Sequence, residues 1–346
     1  MARKIRIVIR YYVSLICIQI FNTEMIQTNR LLGLIILLLA DNLISAQENP
    51  IELGKVKWLR SYDLAMEESE KSEKPIFLFF QEVPGCSNCT RYGTEILSHP
   101  LIVEFIETAF VPLAIHNNKG GPDKKVLERF GESAWNNPVV RLINETDGDM
   151  ATRISNFRSP YLLLTSMIKV VQETNREIPN YVRSLERELR ANEEGSEEAY
   201  LSMYCFWTGE KEIARIDGVL STEAGYMHGK EVVKVTWDKN VTNLERIAKG
   251  ASRVKCADKV FAHVKEKVVD RKPGEYRKDG EDKYYLVHFH YQFVPMMELQ
   301  KSLVNSALGK GEDPNQYLSP RQLELLKNPN SKKSLTNESI YESWYL

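Results

Sequence analysis

The run Pro75-Ile76-Phe77-Leu78-Phe79-Phe80 constrains this chain more than any other segment, because it is apolar throughout and shows no alternation. A strand with one wet face alternates apolar and polar residues; a strand without alternation is covered on both faces, as in the middle of an α/β sheet. The residues after it set the local topology. Gln81-Glu82-Val83-Pro84-Gly85 is a loop by its Pro-Gly pair, and Cys86-Ser87-Asn88-Cys89 then opens a helical pattern that continues through Ile96. Val103-Glu104-Phe105-Ile106 reads as helical, Phe110 to Ile115 as a strand, Lys124 to Phe130 as a helix and Val139 to Ile143 as a strand, closed by a turn from Asn144 to Asp149. Strands alternating with helices predict an α/β layer.

From Pro160 to about Ala191 the pattern is helical, with Leu162, Leu163, Ile168, Val171 and Leu185 at 3.6-residue spacing and a break at Pro179. The polar seam Asn192-Glu193-Glu194-Gly195-Ser196-Glu197-Glu198 is the expected domain boundary. With 346 residues there is material for two cores. Lys and Arg (46) nearly balance Asp and Glu (47), so the net charge of -1 offers no field to attract nucleic acid or an anionic membrane. Neutral groups or other proteins are the expected partners.

The first 46 residues read as targeting sequence. From Met25 an Asn-Arg pair precedes the apolar run Leu31 to Ala40, and Ser45-Ala46 supplies the small residues a signal peptidase needs before Gln47. Met25 is the favoured start; otherwise Ile5 to Phe21 adds a membrane anchor interrupted by Arg10. Either way the mature part is expected to be exported, periplasmic or otherwise extracytoplasmic, touching a membrane only if that segment is retained.

The five cysteines, Cys17, Cys86, Cys89, Cys205 and Cys256, are too few and too scattered for a disulfide scaffold, which points to catalytic use. Cys86 stands at a helix N-terminus, where exposed N–H groups and the helix dipole favour a thiolate, and Cys89 one turn later can resolve a mixed disulfide. A structural disulfide and half of a zinc site are the competing uses. Zinc needs two further ligands, His99 and His116 being the only nearby candidates. From Trp58 to Ala151 the order strand, loop, Cys-x-x-Cys and helix, with Asn137-Pro138 before a later strand, resembles the thioredoxin superfamily. That resemblance implies Cys86 as attacking thiol, Cys89 as resolving thiol and Pro138 as a cis proline facing them. Val83-Pro84-Gly85 and Ser87-Asn88 depart from the usual Trp-Cys-Gly-Pro-Cys.

A second thiol motif lies downstream. Tyr204-Cys205-Phe206-Trp207-Thr208-Gly209-Glu210 is succeeded by Asp217-Gly218-Val219, Ser221-Thr222, Gly225-Tyr226 and Lys230-Glu231-Val232-Val233-Lys234-Val235-Thr236-Trp237-Asp238. This succession resembles the methionine sulfoxide reductase A family, the peptide-methionine (S)-S-oxide reductases. The resemblance implies Cys205 as nucleophile, Phe206 and Trp207 as walls of the methyl pocket, Tyr226 beside the substrate and Glu231 as the acid that protonates the sulfoxide oxygen. The spacing Asp279-x-x-x-x-Tyr284 implies Tyr284 as a hydrogen-bond donor and Asp279 as its support. Tyr204 and Thr208 stand where the family has glycines, the segment between Tyr226 and Glu231 is short, and the family's further tyrosine there has no counterpart. The glycine-rich tail with resolving cysteines is absent too, which leaves Cys256 as the later thiol. His288 and His290 alternate along Tyr285 to Tyr291, a strand pattern with both on one face.

The expected architecture is α/β and α+β: targeting residues 1–46, a thioredoxin-like α/β domain with a helical extension at 47–195, and a methionine sulfoxide reductase A-like α+β domain at 196–346. The expected substrate is oxidised methionine in peptides or proteins, reduced without metal or organic cofactor and with electrons from the Cys86–Cys89 pair, itself reset by an external thiol reductant. The competing readings are a thiol-disulfide oxidoreductase with a catalytically degenerate second domain, and a module that binds methionine-containing segments.

Overall fold

The structure is a computed structural model that describes residues 49–156, 159–253, 257–263, 267–330 and 332–344. The targeting segment, with Cys17, and the later thiol Cys256 lie outside the described residues. None of the described helices is long and apolar enough to cross a membrane.

The first layer begins with α1 (Tyr62–Ser72), whose N-cap Ser61 accepts a bond from the Leu64 amide. The apolar run becomes β1 (Ile76–Gln81), buried at every position. Phe77 and Phe79 enter one core, while Ile76, Leu78 and Phe80 enter the core on the opposite face. Both faces are therefore dry, as the lack of alternation requires. The helix α2 (Ser87–Arg91) runs into a π-helical turn at Tyr92–Ile96, and α3 (Pro100–Ala109) leads to β2 (Val111–His116). Next come α4 (Pro122–Arg129), β3 (Val139–Ile143) and the short β4 (Ile154–Ser155). The sheet order is β2-β1-β3-β4, with β1 parallel to β2 and antiparallel to β3. Two helices, α5 (Pro160–Glu173) and α6 (Asn180–Glu194), cover the Phe77/Phe79 face, and Pro179 caps the second of them, so the break falls where proline places it.

Gly195, at φ 102°, turns the chain directly into β5 (Ser196–Met203). Then come α7 (Phe206–Ile213), β6 (Val219–Met227), β7 (Lys230–Asp238), α8 (Leu244–Arg253), β8 (Ala257–Phe261) and β9 (Tyr276–Lys278). These five strands form an antiparallel sheet in the order β8-β5-β7-β6-β9. The short α9 (Tyr284–Val287) leads to α10 (Glu298–Lys310), which is buried continuously from Leu299 to Ala307, and α11 (Pro320–Lys327) and α12 (Ile340–Trp344) close the chain.

One expected strand is not formed. Tyr285 to Tyr291 folds as the end of α9 followed by a 3-10 turn, His290–Phe293. The amide of Leu286 is taken by the buried side chain of Asn305 on α10, which leaves that backbone no sheet partner to meet.

Residues Pro50–Leu346 form one compact unit. Met297, Ile340 and Trp344 from the C-terminal half enter the core beneath the first sheet. The amide of Arg321 donates to Glu104 at 2.8 Å, and the guanidinium of Arg321 lies over the ring of Trp344.

Candidate functional site

The first thiol pair is built by the turn from β1 into α2. Cys86 is the N-cap of α2 and is exposed, whereas Cys89, one turn on, is fully buried. Their sulfurs are 3.4 Å apart, as a dithiol. The backbone N–H of Cys89 draws the Cys86 thiol below its ordinary value; burial opposes it, and the Cys89 thiol and the Asn88 N–H add enough to keep the net shift downward. Burial, reinforced by the bond to Cys86, pushes Cys89 up to about 12. The pair thus sets an accessible thiol whose thiolate is favoured beside a buried, proton-holding partner, the division of labour that suits thiol–disulfide exchange.

The loop is held from below. Glu52 accepts from the Gly85 amide at 2.8 Å, and the buried amide of Gln81 reaches the carbonyls of Glu52 and Cys89. Gly85 is needed for this approach, since a Cβ there would stand 2.6 Å from the Cβ of Cys89. Pro138 follows a cis peptide bond and leads into β3, beside β1. Trp135, three residues before it, is 86% exposed. Of the two histidines weighed as zinc ligands, His99 is buried as the cap of α3, its Nδ1 accepting from Ile102 and its ring against Tyr341. His116 ends β2 opposite Gln81.

The second cluster forms where β5 gives way to α7. Cys205 is the N-cap of α7 and is partly exposed. The amide of Phe206 donates to Glu231 Oε2 at 2.9 Å, which ties the helix start to β7. Glu231 pairs directly with Tyr226 across β6 and β7, so both side chains share one face of the sheet. The ring of Phe206 meets Tyr226 edge-on at 5.3 Å, and Trp207 stacks on Tyr284 at 4.1 Å. Partial burial first, then the charges of Asp279 and Glu231, raise the Tyr226 hydroxyl, which places both carboxylates close to that ring. Cys205, Phe206, Trp207, Tyr226, Glu231, Asp279 and Tyr284 are therefore assembled from four separate stretches of chain. The hairpin turns at His228-Gly229, both at positive φ, which keeps the Tyr226–Glu231 connection short.

Glu210, Asp282 and Lys283, which the sequence pattern does not single out as a group, hold this site together. Glu210 Oε1 accepts from Lys283 Nζ at 3.0 Å and its Oε2 from the Lys283 amide at 3.1 Å, with neither side chain reaching solvent. Burial lifts Glu210 to about 8; the Lys283 charge opposes this and Asp282 adds to it. Asp282 is held down at about 2, its burial outweighed by Lys283 and Lys278. A single buried ammonium thus pairs with Asp282 while Glu210 keeps its proton, leaving no net buried charge. The triad pins the start of α9, and with it Tyr284, against α7.

His288, one turn after Tyr284, tilts against its ring at 4.4 Å, while His290 begins the next turn. Hydrogen bonds tie the Cys86–Cys89 turn to β1 and the segment at Glu52, and hydrogen-bond and ring contacts tie the start of α7 at Cys205 to β6, β7 and α9.

The family model for thioredoxin-like proteins matches residues 57–144. Residues 57–144 form a thioredoxin-like domain. The comparison with curated proteins finds no match. Among solved structures, a DsbH oxidoreductase is similar at 20% identity, covering 37% of this chain and 91% of its own, with a TM-score of 0.30.

Proposed function

We propose that this chain is an exported thiol oxidoreductase in which the Cys205 centre reduces peptide methionine (S)-sulfoxide and the thioredoxin-like domain supplies the electrons. The observation that carries the reading is the convergence on Cys205 of an acid, Glu231, and an aromatic box, Phe206, Trp207, Tyr226 and Tyr284. A sulfoxide asks for this set. The sulfur accepts a thiolate only while its oxygen is being protonated, and the methyl group needs an apolar wall.

In this reaction the Cys205 thiolate attacks the sulfoxide sulfur and Glu231 delivers a proton to the oxygen. Oxygen is transferred to Cys205 as a sulfenic acid, and methionine leaves. A second thiol, Cys256 or Cys86, then forms a disulfide with Cys205 and releases water. The Cys86–Cys89 dithiol ends as the disulfide, which an external thiol reductant resets. Tethering both centres on one polypeptide raises their effective concentration to roughly millimolar where the geometry lets them meet.

Cys205→Ser tests the nucleophile. It should abolish sulfoxide reduction with the fold intact, and turnover near the parental rate would remove Cys205 from the reaction. The electron route is tested with Cys89→Ser, which blocks resolution. One turnover with a sulfoxide peptide should leave Cys86 disulfide-linked to Cys205 or Cys256 by peptide mapping. If Cys86 is found linked to neither, and Cys86→Ser turns over normally with a protein reductant, the two centres work separately.

A further inference from the structure

The wall of the Cys205 centre continues one strand beyond Tyr226. In β6 and β9 Tyr226 is directly opposite Arg277, and in β6 and β7 it is directly opposite Glu231. Glu231, Tyr226 and Arg277 therefore form one row across three strands on the same face, with Arg277 about 10 Å, two strand spacings, from Glu231. Gly225 permits this approach, since a Cβ there would stand 2.6 Å from the carbonyl oxygen of Arg277.

The guanidinium carbon of Arg277 sits 4.6 Å over the Tyr226 ring, and Phe206 meets the same ring at 5.3 Å between centroids. Stacking fixes the plane of the fork and leaves its N–H edges turned outward. Arg277 is exposed. Its neighbour Lys278 is paired with Glu223 and Asp282, whereas Arg277 has no carboxylate within ion-pair distance among the described residues. Asp279 and Glu231 face the same ring: Asp279 accepts from the Glu281 amide and Glu231 from the Phe206 amide, and among the described residues neither forms an ion pair with Arg277.

An oriented, unpaired guanidinium on the wall of a substrate pocket is a carboxylate receptor. We propose that Arg277 forms an anion subsite of the Cys205 centre, selecting methionine sulfoxide that carries a carboxylate close to the sulfur. That carboxylate is either the α-carboxylate of a chain-terminal residue or the side chain of an adjacent Asp or Glu. The inference rests on the reading of the Cys205 centre as a sulfoxide site and adds what the substrate must look like around the sulfur.

The test is kcat/KM with dithiothreitol on two matched pairs of S-sulfoxides. N-acetyl-methionine sulfoxide, with a free α-carboxylate, is compared with its neutral methylamide; blocked Ala-Met(O)-Glu is compared with blocked Ala-Met(O)-Gln. In at least one pair the anionic member should be preferred about 3- to 10-fold, through KM, and the preference should shrink as salt is raised. Which pair shows it identifies the source of the carboxylate. Arg277→Met should erase the preference by bringing the anionic member down to its neutral twin, and Arg277→Lys should restore part of it. Equal kcat/KM within both pairs overturns the subsite. So does an Arg277→Met variant that loses the same factor on all four substrates, because Arg277 then serves the site's own carboxylates. Absence of turnover on all four removes the sulfoxide reading itself, and the subsite with it.

Discussion

The backbone amide of Phe206 donates to the carboxylate of Glu231 at 2.9 Å, so the residue after Cys205 is bound to the strand that faces it. One carboxylate thus fixes the start of α7, at the amide that follows Cys205. Glutamine keeps the acceptor oxygen and loses the acid. Glu231→Gln should retain the parental melting temperature while lowering sulfoxide reduction by about 10²-fold, the usual worth of a positioned proton donor. Glu231→Ala should lower both. A Glu231→Gln enzyme at full rate would assign Glu231 to structure alone.

The Cys86–Cys89 pair should titrate asymmetrically. Cys86 is drawn below its ordinary value by N–H groups and the second thiol, while Cys89 is pushed up to about 12. Alkylation of the reduced protein by iodoacetamide should label Cys86 with a half-maximal rate below about pH 8.5, the value for an unperturbed thiol. Cys89 should remain unlabelled until the fold opens. Equal labelling of both at neutral pH would contradict the buried position of Cys89.

Glu210 links stability to pH. Its carboxyl is raised to about 8, first by burial. A raised folded-state value means that its contribution is complete below about pH 4.3, the ordinary value for glutamate, and is lost as pH rises through about 8. Glu210→Gln, which mimics the protonated form, should flatten that decline in a series of thermal melts from mildly acidic to mildly basic pH. Lys283→Met removes the buried ammonium between Glu210 and Asp282, leaving Asp282 only its pair with Lys278, and should cost roughly 3 kcal/mol. A pH series with the same slope in Glu210→Gln and the parent would show that another group sets it.

The end of the chain should stabilise the beginning. Trp344 is 2% exposed, within the core under the first sheet and beneath the Arg321 guanidinium. Trp344→Ala should cost about 3–5 kcal/mol, as large-to-small changes in cores do. Denaturant unfolding followed by iodoacetamide labelling of Cys89 reads this directly, since Cys89 lies in the first layer. Labelling at the parental midpoint would mean that Trp344 contributes nothing to that layer.

Much of the first layer was legible because its strands are apolar runs and its helices break at proline. β1 has no alternation and is buried on both faces, and Pro179 caps α6 where the helical pattern was expected to divide. The dithiol was legible in Cys86-x-x-Cys89, and the cluster after Cys205 in the succession from Cys205 to Glu231, where the register sets Tyr226 opposite Glu231 and the Phe206 amide reaches that carboxylate. Asp282 and Lys283 were not, because Gly280-Glu281-Asp282-Lys283 has the composition of a solvated turn, and the group that closes over the buried Lys283–Asp282 pair, Glu210, is 73 positions away from Lys283. Arg277 escaped for a related reason: its meaning lies in the residue opposite it on β6, not in its neighbours along the chain. The strand expected over His288 and His290 failed because period-2 polarity over so short a stretch also fits a helical turn whose backbone is taken by a side chain, here Asn305.

Reduction of the separate S and R epimers of a methionine sulfoxide peptide by residues 47–346, with dithiothreitol as electron source, tests the central claim most directly. One pocket, with a fixed acid, thiol and methyl wall, can protonate the oxygen in only one sulfur configuration. Consumption of the S epimer, with the R epimer untouched and all turnover lost in Cys205→Ser, is the predicted result. Failure to reduce either epimer, or reduction that survives Cys205→Ser, would contradict it and leave thiol–disulfide exchange at Cys86 and Cys89 as the chemistry of this chain.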